Sequence, residues 1–408
     1  MKYWSGVQNI FVSLVVMRVL GLARSFHSPS SPASRTPVKL FSTKPENIAI
    51  VGGGLGGLST AYHLRQALGQ DVHITIFDKC NVGEGGASSV AGGLLHPFSP
   101  KGKLINLGLE GLESTNNLLE AAKKHNPDCI LRDRLFRIAL SEKNVDQLKL
   151  TAELHPEYAT WLEPDDLEKA CGTSALGGIA LENGCYVIHV TSYLQGLWEA
   201  VRTMSPEKST WQIVDPDTDW KETLASFDTA IFSAGSGLFH DEIFQKDAQD
   251  FPVELVRGQS AEMHLESDAS YPNEAILCGK YMTPLPDPNK VLIGATHEYK
   301  SEPLDELGVL DELKKRSYDI SPFVWEEGKL DRVTIGYRVQ SRRGKFGRIP
   351  IIGKSKHNDV HPNSFLFTGL SARGLIYHGI YGQILSRMVV ENDETSVLED
   401  YPDISWWK

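Results

Sequence analysis

The sequence predicts an α/β fold with a Rossmann-like parallel sheet, and two glycine-punctuated turns predict it. The first turn follows a short apolar run at residues 47–51, and the second follows the run FLFTG at residues 365–369. Each turn leads into a stretch with apolar residues at helical spacing. A strand, a glycine turn and a helix in this order form the unit that holds a phosphate group at a helix N-terminus.

The first turn carries the most specific signal in the chain. Asn47–Val51 is typical of a buried parallel strand, and Gly52, Gly54 and Gly57 follow it in GxGxxG spacing. Gly52 permits the tight turn, Gly54 lets the backbone approach a pyrophosphate, and Gly57 lets the helix pack closely on the strand. Leu55 opens that helix, whose N-terminal amides would bind the phosphates.

An acidic residue ends the second strand of this unit. The strand HITIF is followed by Asp78, about 20 residues beyond the last glycine, where a carboxylate accepts from a ribose hydroxyl. Its negative charge disfavours a 2′-phosphate, so we do not expect NADP. Lys79 directly follows Asp78, and both residues are predicted to contact the cofactor. This stretch alone leaves FAD and NAD open.

The segment after the second strand favours a flavin. GEGGASSVAGGLLHPFSPKGK, residues 83–103, is rich in small residues, where an NAD-dependent dehydrogenase would continue with a helix and a third strand. Backbone can approach a large planar ring only where side chains are small. A disordered Gly/Ser loop is the alternative, and the apolar residues within the segment argue against it. The predicted contacts here are Ala87, Ser88, Gly93 and Leu94.

With these motifs the chain resembles the FAD-dependent oxidoreductases of the D-amino-acid oxidase, glycine oxidase and sarcosine oxidase superfamily. Residues 87–97 most resemble the oxidase domain of the bacterial bifunctional enzyme that modifies the wobble uridine of tRNA, and plant FAD-dependent oxidoreductase family proteins are also similar. The resemblance covers residues 46–395. It implies an α/β, Rossmann-like FAD-binding domain and a second, α+β domain whose antiparallel sheet binds the substrate.

The resemblance assigns further contacts to the cofactor. FDTAIFSAGSG would end a strand at Ala234-Gly235, where the small pair allows close contact. The turn after FLFTG would point helix amides at the pyrimidine end of the flavin, where they stabilise the negative charge of the reduced ring. A core helix over residues 375–390, with one buried face and a glycine-containing entry turn, is the alternative. The predicted contacts in this turn are Gly369, Ser371, Ala372, Arg373, Gly374 and Leu375.

The resemblance also implies amine oxidation, in which FAD takes a hydride from a carbon beside nitrogen and oxygen or another electron acceptor reoxidises the flavin. Arg338 matches the carboxylate anchor, because a guanidinium binds a carboxylate through two hydrogen bonds. Tyr281 matches a position that assists through its hydroxyl, and His96 lies in the segment that would face the flavin. The alternatives are a surface arginine, a core tyrosine and a structural histidine. No metal site is predicted.

Cysteine usage bears on the attachment of FAD. The five cysteines are scattered, and no CxxC occurs, so a disulfide framework is not expected. Relatives of the sarcosine oxidase type can attach FAD through a cysteine in the last third of the chain. Because no cysteine follows Cys278, we expect non-covalent FAD.

The N-terminal segment predicts targeting. Residues 1–45 contain basic residues, many serines and no acidic residue, which is typical of an organelle transit peptide; a secretory signal is the rival interpretation. We expect a plastid, with the mitochondrion as the alternative. The apolar run in this segment is interrupted by Arg18 and is too short to span a bilayer comfortably.

The net charge of the chain bears on which kinds of substrate and partner are possible. Without residues 1–45, the chain has 35 basic and 52 acidic residues, a net charge of −17, which disfavours nucleic acid. Only the basic cluster at residues 342–348 leaves open a carboxymethylaminomethyl group of tRNA as substrate. The main hypothesis is a small amine or N-substituted amino acid as substrate. A third hypothesis, from another class, is an FAD-holding organelle assembly factor without turnover.

The predicted domains are discontinuous. The FAD-binding domain would comprise residues 46–128, 186–250 and 346–395, and the substrate domain residues 129–185 and 251–345. The stretch NVDQLKLTAELHPEYATWLEPDDLEKACG predicts exposed helices with Pro/Gly punctuation. Residues 396–408 form a tail without an assigned structure.

Overall fold

The computed structural model describes most of the chain that follows the basic N-terminal segment. The described residues are 44–240, 251–266, 273–299, 302–355 and 359–408. They fall in one compact unit, residues 42–408. The predicted transit peptide lies outside the described residues, apart from its last two positions. Parts of both predicted domains, such as residues 241–250, also lie outside them.

Two sheets and a small three-stranded one organise this unit. The strands of the described residues are β1 (Asn47–Val51), β2 (His73–Asp78), β3 (Leu94–Leu95), β4 (Ile130–Arg132), β5 (Leu135–Ile138), β6 (Ala159–Leu162), β7 (Gly178–Leu181), β8 (Tyr186–Ile188), β9 (Ser209–Ile213), β10 (Thr229–Phe232), β11 (Val253–His264), β12 (Ile276–Cys278), β13 (Lys280–Pro284), β14 (Lys290–Gly294), β15 (Lys329–Ser341), β16 (Ile351–Lys354) and β17 (Ser364–Thr368).

The six-stranded sheet has the order β16-β17-β10-β1-β2-β9. All neighbours in it are parallel except β16 and β17. Strand β17 is buried along its whole length, and so is β1 after its first residue, as expected where both faces of a parallel sheet are covered. Because β10 alone separates β1 from β17, the two glycine turns that follow these strands emerge at the same edge of the sheet.

The eight-stranded sheet has the order β15-β11-β14-β13-β12-β5-β7-β6. It is antiparallel apart from the pair β12 and β5. Strands β3, β8 and β4 form the third, antiparallel sheet. The predicted fold class, a Rossmann-like α/β sheet with a second sheet of largely antiparallel strands, is confirmed. The division into two domains stays a prediction.

Helices cover both sheets. The helices of the described residues are α1 (Leu55–Leu68), α2 (Gly108–Lys123), α3 (Glu142–Leu154), α4 (Pro164–Cys171), α5 (Val190–Met204), α6 (Trp220–Leu224), α7 (Gly237–His240), α8 (Glu306–Ser317), α9 (Pro322–Glu327), α10 (Gly374–Glu391) and α11 (Thr395–Asp400). Among them, none is both long enough and apolar enough to cross a bilayer.

The stretch predicted to be exposed helices contains a strand as well. Helices α3 and α4 are present, but β6 lies between them at the edge of the eight-stranded sheet and pairs with β7. A four-residue strand draws its hydrogen bonds from its neighbour in the sheet, so its own sequence carries little signal.

Helix α10 is buried on nearly every side, whereas the sequence predicted one buried face. It packs against α1 and α2 as well as against β16 and β17. A Cβ at Gly379 would lie 2.9 Å from Ser114 Oγ, and one at Gly382 would lie 2.5 Å from Ser59 Oγ, so both glycines permit close helix contacts. The exposed side chains form a narrow stripe of Gln383, Arg387 and Glu391.

The C-terminal tail packs on the edge of the six-stranded sheet. Trp406 Nε1 donates to the carbonyl oxygen of Pro350 at 3.2 Å, and Trp407 Nε1 donates to that of Ile352 at 3.1 Å. Ile404 is buried in the same core as helix α10. These residues therefore cover β16, where the sequence assigned no structure.

Candidate active site

A cavity of about 1110 Å³ lies where the two glycine turns meet the eight-stranded sheet. It exceeds the usual range of small-molecule sites, roughly 300–1,000 Å³, as a dinucleotide requires. The predicted site residues that line it are Gly52, Gly54, Leu55, Asp78, Lys79, Ala87, Ser88, Gly93, Leu94, His96, Ala234, Gly235, Tyr281, Arg338, Gly369, Ser371, Ala372, Arg373, Gly374 and Leu375. Gly57 does not line it.

The first turn is held by backbone contacts that exclude side chains. Gly52 has a φ of +100°, and a Cβ there would lie 2.4 Å from Ala234 Cα. A Cβ at Gly57 would lie 1.9 Å from the carbonyl oxygen of Gly52 and 2.7 Å from Ser233 Oγ. The position of Gly57 is therefore one of close packing behind the turn.

Asp78 joins the first turn to the second strand. Its Oδ2 accepts from the Gly53 amide at 2.7 Å, and its Oδ1 accepts from the Cys80 amide at 3.0 Å. These bonds fix the carboxylate at the wall of the cavity. Its oxygens can accept further hydrogen bonds, so it can still bind a ribose hydroxyl.

Two helix N-termini open into the cavity. Helix α1 begins after Gly54 and helix α10 after Arg373, and no side chain of either N-cap residue accepts a hydrogen bond from the helix. Neither helix has an acidic residue in its first turn. Ser88 Oγ lies 3.4 Å from the Leu55 amide. The N-terminal amides and dipoles of these two helices suit a ligand with negative charge at two places.

The segment after β2 is ordered along the cavity. It contains β3, which pairs with β8, so the alternative of a disordered loop is wrong. A Cβ at Gly92 would lie 2.6 Å from the Tyr281 ring, and one at Gly93, where φ is +71°, would lie 1.9 Å from the carbonyl oxygen of Ile188. The small residues are thus required by their neighbours as well as by the cavity.

Arg338 projects from β15 into the cavity. Its Nη2 donates to the carbonyl oxygen of Thr296 at 3.3 Å. A Cβ at Gly258 would lie 3.0 Å from the same nitrogen, so that glycine makes room for the guanidinium. Burial lowers the pKa of Arg338, and Tyr281 and Tyr299 oppose this shift. In the described part of the chain, no carboxylate forms an ion pair with it.

Tyr281 lies beside Arg338 in the same cavity. Its hydroxyl is 3.4 Å from Ser260 Oγ, and a Cβ at Gly294 would lie 2.3 Å from that hydroxyl. Burial raises the pKa of the phenol, and the bond to Ser260 and the charge of Arg338 lower it in part. The phenol is therefore protonated at neutral pH and can donate a hydrogen bond to a ligand.

His96 is held by a backbone amide and an arginine. Its Nδ1 accepts from the Phe98 amide at 3.2 Å, and its Nε2 lies 3.4 Å from Arg137 Nη2. Burial lowers the pKa of His96 well below its ordinary value, and the charges of Arg137 and Arg373 lower it further. The imidazole is therefore neutral at physiological pH.

Sequence reasoning missed Arg137. It lies in β5 with an exposed fraction of 6% and, among the described residues, its Nε has no hydrogen-bond partner. Burial lowers its pKa to about 10. A basic residue inside the apolar run LFRI was the available signal, but only the fold shows that it faces His96.

Sequence reasoning also missed Lys280, which precedes Tyr281 in β13 and lines the cavity. Its exposed fraction is 8%, and its Nζ donates to the carbonyl oxygen of Ala295. Burial lowers its pKa, and the charges of Arg316 and Arg338 lower it further. The described lining residues with a lysine or arginine side chain are Lys79, Lys280, Arg316, Arg338 and Arg373, and the acidic one is Asp78.

The family comparison matches residues 47–388 to DAO, the FAD dependent oxidoreductase family. The chain belongs to this family of FAD-dependent oxidoreductases. The resemblance, the enzyme class and the cofactor predicted from the sequence are therefore confirmed. The roles of the individual site residues stay predictions.

Two similar proteins match this chain over stretches of very different length. The chain is 35% identical to prenylcysteine oxidase 1 of Bos taurus over 105 residues, 23% of this chain and 19% of that protein. It is 22% identical to the tRNA 5-methylaminomethyl-2-thiouridine biosynthesis bifunctional protein MnmC of Thiobacillus denitrificans, over 90% of this chain and 60% of that one. The chain thus matches about a fifth of the first relative's length.

The crystal structure of glycine oxidase from Geobacillus kaustophilus superposes with a TM-score of 0.63 at 19% identity. The superposition covers 86% of this chain and 96% of that one. At this identity the likeness shows a shared fold. It agrees with the pair of sheets described above.

The residues of the cavity fit FAD. The N-terminal amides of α1, next to the glycine turn, would hold the pyrophosphate, and Asp78 would hold a ribose hydroxyl. The amides at the start of α10 would face the pyrimidine end of the flavin. Gly235 has a φ of +54° with open space where a Cβ would stand, so the wall there leaves room for the cofactor.

Proposed function

We propose that this protein oxidises a C–N bond of a small amine or an N-substituted amino acid, with FAD as hydride acceptor and oxygen as final acceptor. The observation that carries this proposal is that Arg338 and Tyr281 share one cavity with both glycine-built helix N-termini. Membership of the DAO family and the likeness to a glycine oxidase support it.

Each side chain has a task in this proposal. Arg338 binds the substrate carboxylate, since its guanidinium is largely buried and has no carboxylate partner among the described residues. The Tyr281 hydroxyl donates a hydrogen bond to the bound substrate. Neutral His96 adds no positive charge near the reacting amine. FAD, when bound, would supply the hydride acceptor for the carbon beside nitrogen, and water would hydrolyse the imine product.

The test is anaerobic reduction of the flavin. The purified yellow protein, freed of oxygen, is mixed with a panel of N-methyl and N-carboxymethyl amino acids, and absorbance near the flavin maximum is followed. We expect at least one compound to bleach the flavin. Admission of air should then restore the colour and release hydrogen peroxide. A flavin that stays yellow with the whole panel would contradict the proposal and would favour an FAD-holding assembly factor.

A carboxymethylaminomethyl group of tRNA is the second candidate substrate. The match to MnmC over 90% of this chain favours it, and Arg342, Arg343 and Lys345 are exposed. The net charge of −17 without residues 1–45 opposes it. Filter binding of tRNA at physiological salt separates the candidates, because the small-amine proposal expects no retention of tRNA.

We also propose import into plastids. The support is the composition of residues 1–45, which are basic, rich in serine and free of acidic residues. A fluorescent fusion of the full chain in plant cells should coincide with chlorophyll fluorescence. Coincidence with a mitochondrial dye would show the alternative destination, and deletion of residues 1–45 should leave the fusion outside both.

A further inference from the structure

We infer that the substrate carries two anionic groups, one bound by Arg338 and the other by Lys280 with Arg316 beside it. The inference rests on the proposed function, because it names the substrate class of the same site. A monocarboxylic amine would use Arg338 alone and leave the second cation without a ligand.

Lys280 and Arg338 are held by neighbouring carbonyl groups. Lys280 Nζ donates to the carbonyl oxygen of Ala295, and Arg338 Nη2 donates to that of Thr296. Carbonyl oxygens of adjacent residues are only a few ångströms apart, so the two cationic groups lie within roughly 10 Å of each other. Two anionic groups separated by a few atoms can reach both.

The ammonium of Lys280 has no carboxylate in direct contact among the described residues, and Glu312 and Glu298 attract it from farther away. No carboxylate in the described part of the chain forms an ion pair with it, although the residue is only 8% exposed. A buried cation without an ionic partner carries a desolvation cost that an anionic ligand would offset. Its backbone acceptor satisfies one of its three donors and leaves the others for a ligand.

Asp78 does not supply the negative charge that would balance Lys280. Both of its oxygens accept from amides of the first turn and of the residue after β2, on the side of the six-stranded sheet. Lys280 lies in the eight-stranded sheet. The substrate side of the cavity is therefore cationic, in a protein whose net charge is −11.

Arg316 extends the cationic surface to the rim of the cavity. It lies in the last turn of α8, which packs against β13, and its side chain lines the cavity. Its Nε pairs with Glu312 Oε1 at 2.8 Å, and the side chain is 56% exposed. Arg316 can thus steer and assist the second anionic group, whereas Lys280 is the buried contact.

Binding of inert analogues tests the inference without turnover. Diglycolate and methoxyacetate have an ether oxygen in place of the amine, and they differ in one carboxylate. Their dissociation constants for the FAD-loaded full chain are measured by calorimetry at one pH and ionic strength. We expect diglycolate to bind at least roughly ten-fold more tightly. (Phosphonomethoxy)acetate, in a third arm, shows whether the second group is better as a phosphonate.

Variants assign the second group to Lys280. In Lys280→Gln the ratio of the two affinities should fall to near one, and Lys280→Arg should retain most of it because it keeps the charge. Arg316→Gln, at the exposed rim, should lower the ratio by a smaller factor, about three-fold. Lys290→Gln is the matched control, since Lys290 belongs to the same hairpin but pairs with Asp331 outside the cavity.

Three results would overturn the inference: equal affinities in the wild type, no binding of either analogue, or an unchanged ratio in Lys280→Gln. The ratio does not depend on catalysis. If no amine bleaches the flavin while diglycolate is still preferred, the proposed oxidation fails and the two-anion site stands. If amines bleach the flavin and the ratio is one, the proposed oxidation stands and the two-anion site fails.

Discussion

The cavity has two different sides. Main-chain atoms form the backbone side, at the six-stranded sheet, and side chains form the side-chain side, at the eight-stranded sheet. At the six-stranded sheet, the ligand would meet amides and glycines, and a Cβ at Gly52 or Gly57 would collide with backbone atoms. At the eight-stranded sheet, the ligand would meet the side chains of Arg338 and Tyr281, and Lys280 lines the same cavity.

This difference sets what each side can change. Where two chain segments can approach each other only because a side chain is absent, the position accepts glycine alone. A side-chain site can exchange one residue for another on the same strands while the fold remains. The backbone side therefore fixes the cofactor, and the other side selects the substrate.

Gly57→Ala should give the largest effect, because it would disrupt the packing of α1 on the first glycine turn. The new Cβ would lie 1.9 Å from the carbonyl oxygen of Gly52, so α1 must move away from the turn. We expect a loss of about 3 kcal/mol in unfolding free energy, as for severe overpacking, and a colourless protein. Thermal unfolding and the absorbance of bound flavin measure both effects.

Gly344→Ala is the matched control for that substitution. Its Cβ would lie 4.0 Å from the carbonyl oxygen of Gly347, and the residue is exposed. It should remain yellow with nearly the wild-type melting temperature. A yellow Gly57→Ala protein of wild-type stability would show that the turn tolerates a side chain, and the distinction between the two sides would lose its basis.

Most of the backbone side could be predicted from the sequence. A tight strand-to-helix turn needs glycines at fixed spacing, and this requirement is local, so GxGxxG with a strand before it and Asp78 after it is sufficient. The second turn was harder, because its partner lies some 300 residues away and only a known family pattern joins the two. The structure brings both to one cavity.

The side-chain side was predicted only in part. Arg338 and Tyr281 came from a resemblance to known enzymes, and Lys280 was missed, as was Arg137, which contacts His96. Their positions depend on the register of strands that are far apart in sequence, such as β5 beside β12, which single-sequence patterns do not contain. The burial of α10 was underestimated for the same reason, since two helices from other parts of the chain cover it.

Arg338→Ala should give the next largest effect and act on the side-chain side alone. The variant should keep FAD, because Arg338 belongs to the eight-stranded sheet. Loss of a charged hydrogen bond costs about 2–3 kcal/mol, so the dissociation constant of a carboxylate ligand should rise roughly 30- to 150-fold. Titration of methoxyacetate into the yellow protein measures it.

The control for this substitution is Arg343→Ala, an exposed arginine of the same basic stretch that does not line the cavity. It should bind methoxyacetate as the wild type does. An unchanged affinity in Arg338→Ala would remove Arg338 from the substrate site, while loss of FAD from that variant would show that the two sides are not independent.

Acid should weaken the backbone side through two histidines between α1 and α10. Burial lowers the pKa of His63 and of His378 to about 4, whereas an unfolded histidine titrates near 6.5. The unfolded chain therefore binds more protons between these pH values, and stability falls as the pH falls from about 6.5 to 4. Below that range both states are protonated at these sites, and this loss ends.

His63→Gln isolates one of these protons. Near pH 5, as the pH is lowered, the unfolding free energy of the wild type should fall more steeply than that of the variant, by about 1.4 kcal/mol per pH unit. Denaturant titrations at several pH values give both slopes. His125→Gln, at an exposed position, is the control and should keep the wild-type slope. Equal slopes in the wild type and His63→Gln would show that His63 is not held neutral.

Tyr281→Phe should give the smallest effect. It separates the contribution of the Tyr281 hydroxyl to ligand binding from that of Arg338. The ring contact with Gly92 remains, and only the hydroxyl beside Ser260 is lost. One neutral hydrogen bond is worth about 1 kcal/mol, so ligand affinity and the rate of anaerobic flavin reduction should each fall about five-fold or less. Tyr299→Phe, an exposed tyrosine outside the lining, is the matched control. A loss in Tyr281→Phe as large as that in Arg338→Ala would mean that the phenol, and not the guanidinium, is the main anchor of the substrate.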